Sequence, residues 1–423
     1  MPRVSAVAEP GATLPHARTH AALQEAFAGR HAGEHVVVLI PDRTRSLPLP
    51  SLFRSMVEAL AEAESVTFLV ALGTHPPLPE SELNALVGVS PEERSGRCGH
   101  VRLINHGWQD PDRLVSLGTL PQARIREFAG ARWHPTLGGD VDVRIAREVV
   151  DADHAIVLGP TFPHEVVGYS GGAKYFFPGV SDGDMINVTH WLSALAGVRR
   201  TIGEPDTPVR TMLHAAAELI PTPTTLAALV VEGDEAAGLF VGDLEEAWHA
   251  AVEESSRRHV RWVDRPFERV LSVAPPMYDE LWTAGKAMYK LEPALAAGAE
   301  LIIYAPHLSE ISRVHGRWIH EIGYHVLPYF LEQWDRFAHV PLGVLAHSAH
   351  VRGDGAFEDG VERPRVRVTL ASRVPEETCA ALALGYADPD RIDPRDFQGR
   401  EEEGILFVPK AGEILYKTKE PVP

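Results

Sequence analysis

Cysteine is nearly missing: Cys98 and Cys379 are the only two in 423 residues. Two thiols exclude a disulfide framework and cannot by themselves build a thiolate metal site. Long apolar runs are missing too. None approaches about 18 residues, the length that spans a bilayer as a helix. The opening stretch MPRVSAVAEPGATLPHARTH has no apolar segment of signal-peptide type. The expectation is therefore a soluble cytoplasmic protein. Positive charge is in deficit, with 40 Lys plus Arg against 58 Asp plus Glu, a net charge of −18. That balance argues against nucleic acid or an anionic membrane as partner, since both demand a basic surface.

Lysine is the scarcest charge. Only Lys174, Lys286, Lys290, Lys410, Lys417 and Lys419 occur, so Lys174 stands alone in the first 285 residues. A chain that takes arginine for general positive charge keeps lysine where a compact or reactive amine is needed, unless coding bias alone explains the ratio. What is present is otherwise ordinary. Hydrophobic residues make up 45% and charged residues 23%, the usage of a globular protein. The length suggests two or three domains of roughly 100–200 residues each.

Strand-like and helical patterns alternate. HVVVLI (His35–Ile40), SVTFLVAL (Ser65–Leu72), HVRLIN (His100–Asn105), HAIVLG (His154–Gly159) and Leu226–Val231 read as buried strands, with amphipathic stretches such as Ser51–Glu64 between them. A second block opens near Pro266 with FERVLSVAPP, a helix over Leu281–Ala297 and the strand ELIIYAP at Glu300–Pro306. This pattern predicts an α/β fold of two α/β domains with mostly parallel sheets and an active-site cleft between them. The domains are residues 1–265 and 266–423, and the last segment, GILFVPKAGEILY, is apolar enough to pack back on the first domain.

In parallel sheets ligands collect at the carboxyl ends of the strands. Those ends carry Asp42, Arg43, Thr44 and Arg45 after the first strand, His75 after the second, His106 after the third and His164 beyond Gly159. Singly, each such histidine reads as a solvated surface residue; together they point to one rim. The densest stretch is HEVVGYSGGAKYFFPGVSDGDMINVTH, His164 to His190. Gly168, Gly171 and Gly172 allow tight turns and close approach of backbone to a ligand. The loop delivers Lys174 into apolar surroundings that lower an amine's pKa and favour nucleophilic or covalent use. The other reading, a Gly-rich loop that holds phosphate with a point-charge lysine, is weaker, and a GxxxxGK[ST] ATPase loop is disfavoured because Tyr175 follows the lysine. His190, on a helix predicted over Gly183–Leu195, offers an imidazole to a metal. No cysteine cluster or HExxH accompanies it, so any metal here takes much of its coordination from something other than protein.

As an ensemble, PDRTR (Pro41–Arg45), GTH (Gly73–His75), NHG (Asn105–Gly107), PHEVVGYSGGAK (Pro163–Lys174), PGV (Pro178–Val180) and the spaced His190 resemble the nickel-pincer lactate racemase family. The likeness extends into APPMYDELWTAGKAM of the second block. It implies racemisation or epimerisation of a 2-hydroxy acid by reversible hydride transfer to a nickel-pincer nucleotide. That cofactor is a pyridinium mononucleotide with thiocarboxylate-type arms, made by separate maturation enzymes. It implies that Lys174 holds the cofactor and His190 the nickel, and that His75 and His164 are paired acid/base catalysts. Asp42, Thr44, Arg45, Gly171 and Gly172 then contact the cofactor, and Arg45 and Lys286 the substrate. Thr283 stands where the family has glutamine and Pro76 where arginine is common, and Trp191, Trp282 and Tyr175–Phe177 make the region aromatic. These departures suggest a bulkier or more apolar 2-hydroxy acid than lactate, although the aromatics read first as core. Two alternatives remain beside this reading. One is a nucleotide-dependent oxidoreductase or hydro-lyase, for which no strand is followed by a clear GxGxxG. The other is a non-catalytic protein that binds the cofactor or a hydroxy acid.

Overall fold

The computed structural model of the chain describes residues 1–73, 75–96 and 101–419; Thr74, Cys98 and His100 lie outside the described residues. Two sheets organise it. The first has seven strands: β1 (Val4–Val7), β2 (His35–Pro41), β3 (Ser65–Ala71), β4 (Val101–Asn105), β5 (His154–Pro160), β6 (Thr224–Glu232) and β7 (Glu235–Gly242). Their spatial order is β1-β7-β6-β5-β2-β3-β4. The five strands from β6 to β4 are parallel, and β7 and β1 continue the sheet antiparallel. β-branched residues fill β2 and β5, and Val36–Ile40 and Ala155–Leu158 are almost wholly buried. Such runs suit strands covered on both faces.

The second sheet is five-stranded and all parallel: β8 (Phe267–Val273), β9 (Leu295–Ala305), β10 (Arg367–Ser372), β11 (Gly385–Ala387) and β12 (Ile405–Val408), in the order β11-β10-β9-β8-β12. Each sheet reverses its winding once, between β2 and β5 in the first and between β8 and β12 in the second. These reversals are topological switch points, where the loops after adjacent strands part and leave a crevice.

The two sheets share one apolar core, which runs from Val37 through Trp191 to Leu345 and Leu415. Helix Gly183–Ala196, capped by the Asp182 side chain on the Met185 N–H (3.1 Å), packs beside helix Leu342–Arg352 of the second block. Gly343 sits where they touch, and its N–H donates to Asn187 Oδ1 at 2.9 Å. At the chain's end, Leu415–Thr418 pairs in parallel with Val260–Val263, and Lys410 Nζ lies 3.2 Å from Ser46 Oγ. Among the described residues no helix is long and apolar enough to cross a membrane.

One expected element is different. The helix over Leu281–Ala297 is two single turns, Leu281–Ala284 and Lys286–Tyr289, followed by a 3-10 turn at Glu292–Ala294 and the start of β9. Pro293 closes the helical stretch, since its ring and missing N–H do not continue a helix. Gly285 marks the joint: a Cβ there would stand 2.7 Å from Val351 Cγ2.

Candidate active site

The cleft between the sheets opens at the switch point of the first. Asp42 and Arg45 leave β2, His75 follows β3, and Pro160 ends β5, all lining one cavity. The loop after β5 adds His164, Gly171 and Lys174, and helix Gly183–Ala196 adds His190. The second block contributes Trp282, Thr283, Lys286, Tyr289, His347 and His350. Thr44 and Gly172 do not line this cavity. Thr44 borders a smaller neighbouring one shared with Lys286 and Tyr278, and Gly172 rests against Trp248, where a Cβ would stand 3.0 Å from Cδ1. Gly171 and Gly172 both have positive φ, 79° and 58°, so the turn requires glycine for its conformation. His106, expected on the rim, is buried elsewhere, its Nε2 2.8 Å from the Ser181 carbonyl oxygen. Phe176, Phe177 and Trp191 are core, whereas Tyr175 and Trp282 reach the cavity.

Hydrogen bonds to fixed partners set the tautomer of three histidines. Burial alone would raise the Asp42 carboxyl, but His75, Arg45 and Thr44 hold it well below the ordinary range. Its Oδ1 accepts from the Thr44 N–H (3.0 Å) and hydroxyl (2.7 Å), and Arg45 donates to that hydroxyl at 3.0 Å. Its Oδ2 faces His75 Nδ1 in a short contact. An ionised carboxylate only accepts, so His75 carries its proton on Nδ1 and keeps a lone pair on Nε2. His190 Nδ1 donates to the Ile186 carbonyl at 2.7 Å, which again leaves Nε2 free. Burial brings His190 down to about 4, so it is neutral at physiological pH. His164 is opposite: its Nδ1 accepts the Val166 N–H at 3.1 Å. Burial, reinforced by Lys174 and Arg45, holds it well below its usual value. A neutral ring with Nδ1 accepting bears its hydrogen on Nε2.

The amines are equally perturbed. Burial, then Arg45, lowers Lys174 to about 8. Lys286 is lowered well below its ordinary value by the same two causes, and its Nζ is buried without a hydrogen-bond partner, 4.8 Å from the Tyr278 ring centroid. Lys290, lowered to about 7 by burial against the pull of Glu165, donates to the Pro163 carbonyl beside His164. The cavity thus sets Arg45, Lys174 and Lys286 against the Asp42 and Glu165 carboxylates, and an anionic ligand would favour the charged form of the two lowered amines.

Sequence reasoning missed several residues of the site. Glu165 places Oε2 3.3 Å from His164 Nδ1. His347 stacks on Trp282 at 3.9 Å between centroids, with His315 on Trp282 as well at 4.3 Å, and its Nε2 is buried without a partner. The i, i+3 spacing of His347 and His350 on one helix, and the i, i+4 spacing of Lys286 and Lys290 in a lysine-poor chain, are signals that could have found them.

Fold and cavity define a class: an α/β protein of two parallel-stranded sheets with a histidine- and lysine-lined cleft between their switch points. A family model described as the lactate racemase N-terminal domain matches residues 9–126 and 136–203. The lactate racemase of Lactiplantibacillus plantarum is 27% identical over 175 residues, 40% of this chain and 34% of that protein. The lactate racemase of Thermoanaerobacterium thermosaccharolyticum is 24% identical over 161 residues, 37% of this chain and 32% of that protein. The aligned part therefore spans about a third of the length of the curated relatives it matches. A crystal structure of a Thermotoga maritima protein is 31% identical with a TM-score of 0.88, covering 97% of this chain and 99% of that one. The lactate racemase apoprotein of T. thermosaccharolyticum shares the fold at 16% identity and TM-score 0.70, covering 98% and 99%. Within residues 9–203 the chain thus carries a lactate racemase N-terminal domain.

Proposed function

We propose that this chain is a racemase or epimerase of 2-hydroxy acids that works with a nickel-pincer pyridinium nucleotide. The observation that carries the proposal is the pair His75 and His164 on one cavity, beside a neutral His190 whose Nε2 is free. The residues fit the cofactor. His190 Nε2 suits a soft or borderline divalent metal, the Lys174 amine, lowered to about 8 by burial, is the free base in a larger fraction than an exposed lysine, and Arg45 answers a phosphate or carboxylate. When bound, the cofactor supplies a reversible hydride acceptor.

The chain's own residues then do the rest. Arg45 and Lys286 hold the substrate carboxylate, which gives the buried Lys286 ammonium its missing partner. His75 Nε2 takes the hydroxyl proton of one enantiomer, and the Asp42 carboxylate stabilises the imidazolium that forms. His164, whose hydrogen is on Nε2, is the acid that gives the new hydroxyl its proton, and the two histidines exchange roles for the other enantiomer. Glu165, its Oε2 3.3 Å from His164 Nδ1, is a positioning residue. Packing of the second block over the cavity excludes water from the keto acid.

Native mass spectrometry of protein from a host that makes the cofactor tests this directly. The expected result is one added mass of nickel plus pincer. Its persistence after denaturation, and loss of that persistence in Lys174→Arg, would identify Lys174 as the point of covalent attachment. No added mass, with a known lactate racemase loaded in parallel, would overturn the proposal.

A further inference from the structure

At the opposite end of the first sheet, roughly 20 Å along β2 from Asp42, three residues with metal-ligand chemistry come together. His31 lies in the turn after helix His16–Phe27, Glu34 immediately precedes β2, and His154 opens β5 beside Val36. One ligand atom from each lies within 4.8 Å of the other two. His31 Nδ1 is 2.8 Å from Glu34 Oε2, and the two imidazole rings are 4.5 Å apart at 46°. His154 Nε2 is 2.9 Å from Thr225 Oγ1 on β6. With Nε2–H donated to that hydroxyl, Nδ1 presents its lone pair, the outer contact that orients a ligating histidine.

We propose that His31, Glu34 and His154 bind a divalent first-row metal ion of the zinc type at the amino ends of the central strands. Two imidazoles and a carboxylate are a three-residue zinc set, and a water completes the tetrahedron. An ion pair between His31 and Glu34 accounts for two of the residues but not for the second imidazole set against them. Glu34 is 40% exposed while His31 is 9% exposed, so one side of the site is open to an entering ion and its water. Drawing donors from within 4.8 Å to a common ion needs side-chain movement of about 1 Å, set by zinc–nitrogen distances near 2.1 Å. The ion would tie the turn after the first helix to β5, far from the cleft. Metal counts on the loaded protein would then exceed one per chain.

The test is zinc alone, titrated into the full apo chain against a chromophoric chelator, in a His190→Ala background that removes the cleft histidine. The expected result is one zinc per chain with a raised Tm. His154→Gln abolishes it, and Glu34→Gln weakens it about 10- to 100-fold. No zinc bound in the His190→Ala protein, or binding unchanged by His154→Gln and Glu34→Gln, would overturn the proposal. If His154→Gln does not fold, Glu34→Gln, on a partly exposed side chain, decides alone.

Discussion

On the wall of the cleft built by the first sheet, the inner nitrogens of His75, His164 and His190 are already engaged by a carboxylate, an amide and a carbonyl. On the facing wall, Lys286 Nζ and His347 Nε2 are buried with no hydrogen-bond partner among the described residues. The first arrangement settles which ring nitrogen carries the hydrogen before any ligand arrives. The second leaves polar atoms whose desolvation, about 1–3 kcal/mol each, is offset only by a ligand. One wall is thus suited to chemistry and the other to recognition.

Breaking the first wall has the largest expected effect. His75→Ala should lower kcat by about 100- to 10,000-fold, the usual worth of a positioned acid/base group, while cofactor mass stays bound. Turnover within a few-fold of wild type would remove His75 from the chemistry. On the second wall the sign reverses for stability. Lys286→Met replaces a buried unpaired amine with an apolar chain of similar shape, and should stabilise the apoprotein by about 1–3 kcal/mol. It should at the same time raise KM for 2-hydroxy acids. A fall in Tm would mean that Lys286 has a structural partner in solution.

A smaller change should follow at His347. His347→Phe removes a polar atom without emptying the site, and should shift preference toward 2-hydroxy acids with apolar tails by about 10-fold in kcat/KM ratio, the scale of a single pocket contact. An unchanged panel would place His347 outside substrate contact. Finest of all is the pH response of Lys174. Because burial lowers its amine to about 8, the group is protonated below that pH and a free nucleophile above it. Its labelling by an amine-selective reagent should therefore rise through pH 8, while exposed lysines wait until about 10.4. A midpoint near the ordinary value would show that the loop is open to water.

Much of the first wall was legible in the sequence. Strand ends follow from β-branched runs that stop at Pro41, Ala71 and Pro160, and the loops after them carry Asp42, Arg45, His75 and His164 into one cavity. Lys174 and His190 reach the same cavity. The second wall was mostly illegible. His347 and His350 reach the cavity because helix Leu342–Arg352 packs against a helix more than 150 residues earlier in the chain, and no local pattern encodes that contact. His106 failed for a related reason: a strand-end histidine looks the same whether it turns to a ligand or to the Ser181 carbonyl. The Leu281–Ala297 segment misled because its apolar spacing reads as one helix although Gly285 and Pro293, both poor helix formers, interrupt it.

The measurement closest to the central claim is the fate of the Cα hydrogen during inversion. Cofactor-loaded protein would be given one enantiomer of a 2-hydroxy acid in deuterated water, and the inverted product analysed by mass spectrometry. The account predicts that the product keeps its original hydrogen at Cα. Inversion with deuterium at Cα would contradict it, because the hydrogen would then have left as a proton to solvent.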